Sequence, residues 1–352
     1  TSSAFSPYHP GGYSTYFDGN GDYIAFPDNN GFEFDGDFTI ELWFFKTAAI
    51  SVGANTTYGA IIGGNASSGN GWTIYITNST NVVSFFHSSF LLSSTAVSDN
   101  VWNHVAVTRS GTSLKLFING AEAASATNST TFNQNTNNSG SRIGYDIDGN
   151  GYFPGYIRDV RIVKGTAVYT SAFNVPTAPL TAISGTQLLA CHLPYIRDGS
   201  TNDLALTTNG TPQTRRYTPY DYEGTYVKSS HGGSVHFNGT SDYLDINTAT
   251  AADFGTGDFT VEVWWYPTTP TQNGVLWAGF TNATNTNNNV CEFYLGLSTG
   301  FLRPHVNTNL SGTWTTRIST DKFCFDKTWN HVAYVRNGNV GNIYINGKKG
   351  PD

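Results

Sequence analysis

The sequence contains the same ordered set of motifs twice, and this repeat limits the folds open to the chain more than any other feature. Four motifs recur in the same order, at separations between 220 and 227 residues: 17–24 with 237–244, 36–43 with 257–264, 102–107 with 329–334, and 116–120 with 343–347. Such constant spacing over four motifs indicates duplication of one structural unit. The 352 residues therefore carry two copies of one domain, which fits a usual domain length of about 150 residues.

Short stretches of alternating apolar and polar residues predict that each copy is built of β-strands. Residues 38–44, 104–108 and 114–118 alternate in this way, and turn residues flank each stretch. Asn119-Gly120 and Asn346-Gly347 are typical of two-residue hairpin turns, because both positions of such turns need a positive φ. No stretch longer than about ten residues has the apolar spacing of three and four that a helix requires. We therefore expect an antiparallel, all-β protein.

The repeat also predicts the domain boundaries. We place a first domain at residues 1–175, a connector docked on it at 176–215, and a second domain at 216–352. The connector contains a strand candidate at 187–192. The second copy has no counterpart of residues 155–162, so it lacks its closing strands and would leave sheet edges unpaired. We expect either that the polypeptide continues or that strands of another chain complete the second domain.

Large rings recur at matching places in both copies, namely Trp43 with Trp264 and Trp102 with Trp329. We predict that these rings fill the core between the sheets, because buried aromatic side chains contribute most to such cores. His104 and His331 also occupy matching strand positions. We interpret them as structural histidines with satisfied hydrogen bonds, and not as catalytic bases.

The ordered motifs resemble a laminin-G-like domain of the concanavalin A-like superfamily. The residues that carry this resemblance are 17–23, 37–43 and 102–107, followed by 116–120 and 155–162. The resemblance extends over about residues 13–165 and, in part, 233–350. It implies two tandem concanavalin A-like jelly-roll β-sandwiches, the second incomplete, each made of two antiparallel sheets. The alternation of apolar and polar residues points to the same all-β architecture.

A narrower resemblance involves residues 163–169 and 173–181, which are similar to a segment of large virion proteins of marine bacteriophages. In those proteins, tandem copies of such domains form appendages or fibres. The resemblance implies an extracellular location at the virion surface, with other copies or neighbouring virion subunits as partners. A cell-surface glycan is a further expected partner. Superfolds host many functions, so the fold alone does not decide among these roles.

Composition excludes several classes of partner. The net charge is −7 and only 12% of the residues are charged, whereas nucleic-acid binding needs a basic face. No apolar stretch approaches the about 20 residues of a membrane span, so we expect no membrane insertion.

Three cysteines, Cys191, Cys291 and Cys324, are too few for a disulfide framework or a zinc cluster. Cys291 and Cys324 either pair with each other or remain separate buried thiols.

Glycoside hydrolysis is the first enzymatic alternative, because the superfamily that the motifs resemble includes glucanases. Hydrolysis needs two carboxyl groups about 5 to 9 Å apart that face one cleft. The available pairs are Asp37 with Glu41 and Asp258 with Glu262, and in each pair only the glutamate lies inside a strand. No nucleophile elbow, His-Glu-x-x-His motif or phosphate-binding loop is present either. We therefore expect no catalytic residues and no enzymatic activity.

A calcium site is the one cofactor that the sequence suggests. Asp146, Asp148 and Asn150 stand at alternate positions before Gly151, as at the start of a calcium-binding loop. Since many laminin-G-like domains hold a structural calcium ion, the resemblance suggests Asp18 and Asp22 as a second pair of ligands. The alternative interpretation of the first group is a hairpin tip rich in Asp, Asn and Gly, with no metal.

Carbohydrate binding suits the many aromatic, Asn and Gly residues, because sugar sites combine aromatic platforms with amide groups on the loops of a rigid scaffold. The candidate platforms lie in or beside loops rich in Asn, Gly and Thr: Trp72, Tyr75, Tyr152, Trp277 and Trp314. The alternative for each of these residues is that it is a half-buried aromatic residue of a strand, which packs against its neighbours and binds no sugar.

Together these features predict a non-catalytic structural or adhesion protein of an extracellular assembly, most specifically a component of a phage virion appendage or fibre. It would contact neighbouring subunits or host-surface glycans, and repetition along a fibre would supply avidity. The alternative is a secreted carbohydrate-binding protein, and the third hypothesis is a glucanase-like glycoside hydrolase.

Overall fold

A computed structural model provides the structure and describes residues 12–64, 71–87, 90–133, 140–220, 233–245, 257–268, 274–279, 290–298, 301–309, 314–318, 328–338 and 340–350. Within 290–298, 301–309 and 314–318 the description is limited to the backbone. The chain divides into two compact units: a first unit, His9–Thr225, and a second unit, Tyr226–Asp352 with Thr1–Tyr8. Among the described residues, no helix has the length and hydropathy needed to cross a membrane.

The first unit is built almost entirely of β-strands, with one short 3₁₀ helix at Asn30–Phe32 among its described residues. Its strands are β1 (Ser14–Asp18), β2 (Tyr23–Phe26), β3 (Phe38–Lys46), β4 (Asn55–Gly63), β5 (Thr73–Thr77), β6 (Val82–His87), β7 (Phe90–Ala96), β8 (Asn103–Ser110), β9 (Ser113–Ile118), β10 (Ala121–Thr127), β11 (Ser141–Ile143), β12 (Asn150–Gly151), β13 (Pro154–Lys164), β14 (Thr186–Ala190), β15 (Thr207–Asn209) and β16 (Gln213–Arg215).

These strands form two eight-stranded sheets. Sheet A has the order β10-β9-β8-β3-β13-β1-β16, and β14 also pairs with β13. Sheet B has the order β15-β2-β11-β4-β5-β6-β7, and β12 also pairs with β4. The pairing is antiparallel throughout, apart from the short parallel contact of β12 with β4. The predicted all-β class and jelly-roll architecture are therefore confirmed.

Strand β3 shows why the alternating sequence forms this core. Phe38, Ile40, Leu42 and Phe44 are fully buried on one face of the strand. The ring of Phe38 contacts that of Phe132 edge-to-face at 5.9 Å, and the ring of Phe132 contacts that of Phe85 on sheet B at 5.3 Å. This face of β3 therefore points between the two sheets. Each such side chain contributes roughly 1.5 to 3 kcal/mol through burial.

The opposite face of β3 is also buried, because residues 166–220 pass over it. Trp43 lies on this face, only 6% exposed, and its ring meets that of Tyr220 edge-to-face at 6.2 Å. The prediction that Trp43 fills the core between the sheets is therefore wrong. The indole is buried, but it packs beneath the covering segment, because it alternates with the side chains that face sheet B.

Residues of the predicted connector contribute strands to both sheets. β14 pairs with β13 and β16 pairs with β1 in sheet A, while β15 pairs with β2 in sheet B. At the end of this segment, the Tyr217 ring lies 4.9 Å from that of Phe45, 5.5 Å from that of Trp102 and 4.8 Å from that of Tyr156. The half-buried Trp102 thus packs against the covering segment and not between the sheets.

The described part of the second unit forms two four-stranded sheets. One has the order β17-β22-β23-β24 and the other β18-β19-β20-β21. The strands are β17 (Phe259–Trp265), β18 (Gly274–Gly279), β19 (Val290–Ser298), β20 (Phe301–Asn309), β21 (Trp314–Ile318), β22 (Asn330–Asn337), β23 (Val340–Ile345) and β24 (Lys348–Lys349). Cys291 lies in β19, whereas Cys324 lies outside the described residues, so their pairing stays a prediction.

The core of the second unit contains Trp265, Val332, Tyr334, Ile343 and Ile345. The prediction that Trp264 fills the core is therefore wrong. Trp264 is half-buried and its ring lies 5.0 Å from that of His331, while the next residue, Trp265, takes the core position. Two adjacent tryptophans in a strand point to opposite faces, so only one of them can reach the core.

Both predicted hairpin turns are confirmed by their backbone conformation. Asn119 and Gly120 have φ values of 51° and 80°, and Asn346 and Gly347 have values of 50° and 79°. These positive values are those of a turn that matches the twist of its flanking strands. The Asn119 side chain also accepts a hydrogen bond from the backbone N–H of His104 at 2.8 Å, so it ties the turn to β8.

Candidate functional site

Two of the predicted sugar platforms, Trp72 and Tyr75, lie inside the first unit. Trp72 is fully buried, and its ring lies 5.9 Å from that of Phe34. Tyr75 is 8% exposed and packs against Tyr58, with ring centroids 4.7 Å apart, and its burial raises the pKa of its hydroxyl. Because neither ring has a face open to solvent, neither can stack on a sugar, and both leave the candidate set.

Two of the predicted sugar platforms, Trp277 and Trp314, lie in strands of the second unit. Trp277 lies in β18, is half-buried, and packs against the core cluster that contains Trp265. Trp314 begins β21 and pairs with Asn309, and its side chain is outside the description. Trp277 therefore acts as a packing residue, while Trp314 stays a prediction.

Tyr152 belongs to a row of tyrosines at the surface of sheet B. Its ring stacks on that of Tyr145, with centroids 4.1 Å apart and planes 9° from parallel. The Tyr145 ring in turn lies 5.8 Å from that of Tyr23, at an interplanar angle of 23°. All three side chains are half-buried. The row is thus a set of stacked, partly exposed tyrosine side chains on sheet B.

Arg142 completes this group. Its guanidinium carbon lies 4.6 Å from the Tyr23 ring centroid and 5.5 Å from that of Tyr145, at the distance of a cation–π contact. We call Tyr23, Tyr145, Tyr152 and Arg142 the tyrosine shelf. Burial, followed by the neighbouring Tyr152, raises the pKa of Tyr145, so its hydroxyl remains a neutral hydrogen-bonding group.

The shelf is assembled from strands that are distant in sequence. β11 pairs with β2, which brings Arg142 opposite Ala25 and close to Tyr23. The loop between β11 and β13 then carries Tyr145 and Tyr152. Sequence analysis found Tyr152 beside the acidic hairpin but missed Tyr23, Tyr145 and Arg142. The only local signal was that Tyr145 and Tyr152 bracket the same Asp- and Gly-rich loop.

The predicted calcium group follows Tyr145 in the chain, and two of its side chains are tied into hydrogen bonds within the loop, so a calcium ion there stays a prediction. Asp146 is fully buried and accepts hydrogen bonds from the Asn150 backbone N–H at 3.1 Å and the Asn150 side-chain amide at 2.7 Å. The Asn150 side-chain oxygen faces Asn55, which donates to it at 3.3 Å. Burial raises the pKa of Asp146 to about 6. The Asp146 and Asn150 side chains therefore hold the loop closed, and Asp148 lies half-buried on it.

The second suggested calcium pair, Asp18 and Asp22, is also committed to hydrogen bonds. Asp22 is 2% exposed and accepts from the backbone N–H of Asp18 at 3.0 Å and from that of Thr211 at 2.7 Å. Burial raises the pKa of Asp22. The contact of Asp22 with Thr211 fastens the connector to the β1–β2 turn. In the described parts of the chain, no group of three or more His, Cys, Asp or Glu side chains is placed to hold a metal ion.

Glu41, the strand carboxylate considered for hydrolysis, is enclosed in sheet A. It accepts hydrogen bonds from Arg161, at 2.9 Å from Nε and 2.6 Å from the terminal nitrogen, and from the Tyr169 hydroxyl at 2.9 Å. His104 Nε2 lies 3.4 Å away. Burial alone would raise the pKa of Glu41, but His104 and Arg161 outweigh it and lower the pKa. With its side chain fully buried, Glu41 is closed to any substrate.

A family model described as the concanavalin A-like lectin/glucanases superfamily matches residues 18–168 and 238–350. The chain belongs to this superfamily. The two matched regions contain the two copies of the motif set, so both copies are concanavalin A-like domains. No curated protein matches the sequence.

Several solved structures are similar to this concanavalin A-like chain. A Bacteroides ovatus protein provisionally classed as carbohydrate-binding is 18% identical over 59% of this chain and 60% of its own length, with a TM-score of 0.45. Domains LG4-5 of the mouse laminin α1 chain are 11% identical over 99% and 79%, with a TM-score of 0.33. The CBM40 module of a Ruminococcus gnavus sialidase is 17% identical over 41% and 88%, with a TM-score of 0.29. At these TM-scores the likenesses carry no argument about binding.

Two kinds of site are candidates in a chain of this superfamily, a catalytic carboxylate and an aromatic surface that binds sugar, and they differ here in exposure. The carboxylate that a glucanase-like reading would use, Glu41, is enclosed and ion-paired. The tyrosine shelf lies at the surface and combines stacked rings with a guanidinium. Of the sugar platforms predicted in the first unit, Tyr152 alone lies in a partly exposed aromatic group.

Proposed function

We propose that this chain is a non-catalytic glycan-binding or adhesion protein, and that the tyrosine shelf is its sugar-contact surface in the first unit. The observation that carries this proposal is the stacked, half-buried pair of Tyr145 and Tyr152 beside Arg142. Membership of a superfamily of lectins and glucanases supports a sugar ligand. The enclosure of Glu41 supports binding over hydrolysis.

The chemistry of the shelf suits a sugar in three ways. Aromatic rings pack against the apolar C–H face of a pyranose, and tyrosine hydroxyls add hydrogen bonds at the ring edge. Rings that are already stacked lose little conformational freedom when a ligand binds. The guanidinium of Arg142 adds donors that suit hydroxyl or carboxylate oxygens.

We further propose that the protein works in an extracellular assembly, specifically a phage virion appendage or fibre. The tandem domains support this, and so does the resemblance of residues 163–181 to virion proteins. Its partners would be other copies, neighbouring virion subunits or host-surface glycans. Part of that segment has a structural role, because Tyr169 and Phe173 stack at 3.6 Å and cover His104. The alternative setting is a secreted carbohydrate-binding protein.

A glycan array with the full chain tests the proposal. We expect one class of glycan to bind, and we expect Tyr145→Ala and Tyr152→Ala each to weaken binding at least tenfold. The control is Tyr243→Ala, because Tyr243 is 80% exposed and remote in sequence from the shelf. Circular dichroism and a thermal melt check that the variants fold.

Three results would overturn the proposal. The first is the absence of any bound glycan, and the second is binding that the shelf variants leave unchanged. The third is release of reducing sugar from a bound polysaccharide, which would restore the glucanase hypothesis. Electron microscopy of the source particle tests the appendage setting, where free monomers would contradict it.

A further inference from the structure

Lys46, the last residue of β3, has an amine that is almost completely buried. Its side chain is only 2% exposed, whereas lysine side chains ordinarily extend their amine into water. Lys46 Nζ donates hydrogen bonds to Asn81 Oδ1 at 3.1 Å and to Asp99 Oδ1 at 2.9 Å. The amine is therefore held in contact with a carboxamide on one side and a carboxylate on the other.

Backbone hydrogen bonds fix the positions of these three residues. The N–H of Asn100 donates to the carbonyl oxygen of Lys46 at 2.9 Å, and the N–H of Val97 donates to that of Asn81 at 2.9 Å. The segment that carries Asp99 is thereby fastened to both of its neighbours. Groups that are held in contact in this way can react with each other far faster than groups that must first meet.

The three residues come from different parts of the β-sandwich. Lys46 ends β3 in sheet A, Asn81 lies between β5 and β6 of sheet B, and Asp99 lies between β7 and β8. A covalent bond between the side chains of Lys46 and Asn81 would join the two sheets directly. It would also close the chain from residue 46 to residue 81 into a loop that persists when the strands separate.

The lysine has no counterpart in the second copy. Residues 36–43 align with 257–264, and continuing this alignment places Pro267 at the position of Lys46. The repeated strand therefore forms without an amine at this place, since β17 is present at Phe259–Trp265. The buried amine is thus a feature of the first copy and not a requirement of the repeated motif set.

We propose that Lys46 and Asn81 join in an intramolecular isopeptide bond, with Asp99 as the group that accepts and returns the proton. A lysine amine becomes a nucleophile when a neighbouring base takes its proton, and Asp99 is in hydrogen-bond contact with it. The carboxamide that the amine would attack is in contact with the same nitrogen. This inference does not depend on glycan binding.

The reaction balances with the atoms of these three side chains. Asp99 accepts a proton from the ammonium group of Lys46, and the neutral amine attacks Cγ of Asn81. The Nζ–Cγ bond forms and the Cγ–Nδ2 bond breaks, while Nδ2 takes a second proton from the amine and leaves as ammonia. Asp99 then returns its proton to the ammonia, which departs as ammonium. No oxidant, reductant or cofactor is required.

Intact-mass spectrometry of the full chain tests for the bond. We expect the measured mass to be lower than the sequence mass by one molecule of ammonia. Trypsin cuts after a free lysine, so the peptide bond between residues 46 and 47 should resist it. A chymotryptic digest should contain peptides that are joined through Lys46 and Asn81, as tandem mass spectrometry would show.

Two variants assign the reaction to these residues. Asn81→Gly removes the carboxamide and accommodates the φ of 52° at this position, so it should abolish the loss of ammonia. Asp99→Asn changes a side chain that is 39% exposed and should leave most of the chain unreacted, because an acid–base group contributes a factor of about 100 or more. The matched control is Asn119→Gly, which should keep the loss. Asn119 also has a positive φ, of 51°, but its side-chain oxygen accepts from the backbone of His104. Circular dichroism checks that each variant folds.

A full chain at its sequence mass would overturn the inference and leave Lys46 with an ion pair only. Loss of ammonia that persists in Asn81→Gly would overturn it as well. An Asn-Gly sequence such as Asn119-Gly120 can also lose ammonia by closing a succinimide ring. Mild base opens a succinimide but leaves an isopeptide bond intact, so a mass deficit that disappears in mild base would likewise count against the bond.

Discussion

Replacing the same glutamate in the two copies should have very different effects on stability. Glu41→Gln removes the charge that balances Arg161, whose side chain is 7% exposed, and leaves a guanidinium buried without its carboxylate. Breaking a buried ion pair in this way costs about 3 to 5 kcal/mol. Glu262→Gln changes a side chain that is 63% exposed, where a pair contributes less than about 1 kcal/mol.

Native-state hydrogen exchange measures both effects in the full chain, because β3 and β17 give separate peptides. We expect the free energy of opening to fall by about 3 to 5 kcal/mol in Phe38–Lys46 for Glu41→Gln. For Glu262→Gln we expect less than about 1 kcal/mol in Phe259–Trp265. Equal effects in the two copies would refute the argument from burial.

The pH dependence of the first variant gives a second check. The pKa of Glu41 is lowered in the folded state, so its stabilisation is present above its ordinary pKa of 4.5 and is lost as the pH falls through the folded value. The difference between wild type and Glu41→Gln should therefore shrink in strong acid. If the stability difference between wild type and Glu41→Gln grows below pH 4.5, the pKa of Glu41 is not lowered in the folded state.

Three further predictions concern the first unit. The pKa of Asp146 is raised from 3.8 to about 6, so stability relative to Asp146→Asn should fall by about 2 kcal/mol between pH 4 and 6 in denaturant titrations; a flat difference would contradict this. EDTA should leave the melting temperature unchanged, because Asp22 and Asp146 accept hydrogen bonds from N–H groups; a lower melting temperature would contradict this and support the calcium prediction. Gly155→Ala should destabilise by more than about 1 kcal/mol in the same titrations, because Gly155 has a φ of 144° and a Cβ there would overlap Phe45 O; an unchanged midpoint would contradict this.

Sequence patterns were sufficient for the local elements of the fold. Alternation placed a strand at 38–44, and the structure has β3 at Phe38–Lys46. Both Asn-Gly turns followed from the need for positive φ. These predictions hold because each depends on a few neighbouring residues, whose preferences act over one strand or one turn.

Side-chain environments were harder to predict, because they depend on segments far away in the sequence. Alternation shows that Trp43 and Phe44 point to opposite faces, but not that residues 166–220 bury the outer face. The same limit applies to Trp72, whose loop composition resembles that of an exposed platform although its ring is in the core. Tyr23 and Arg142 join the shelf through the pairing of β2 with β11, which no local pattern reports.

The Glu-His pair shows how far a repeat can be used to predict function. Each copy places a glutamate and a histidine at the same register of the same two strands, 3.4 Å and 3.3 Å apart. The first pair lies beneath Arg161 and Tyr169, so it stabilises a closed sheet. In the described part of the second copy, the Glu262 side chain is 63% exposed and that of His331 is 23% exposed. Since the two pairs have the same spacing, the motif fixes the contact between the two side chains, whereas the segments packed over the pair decide whether it is buried.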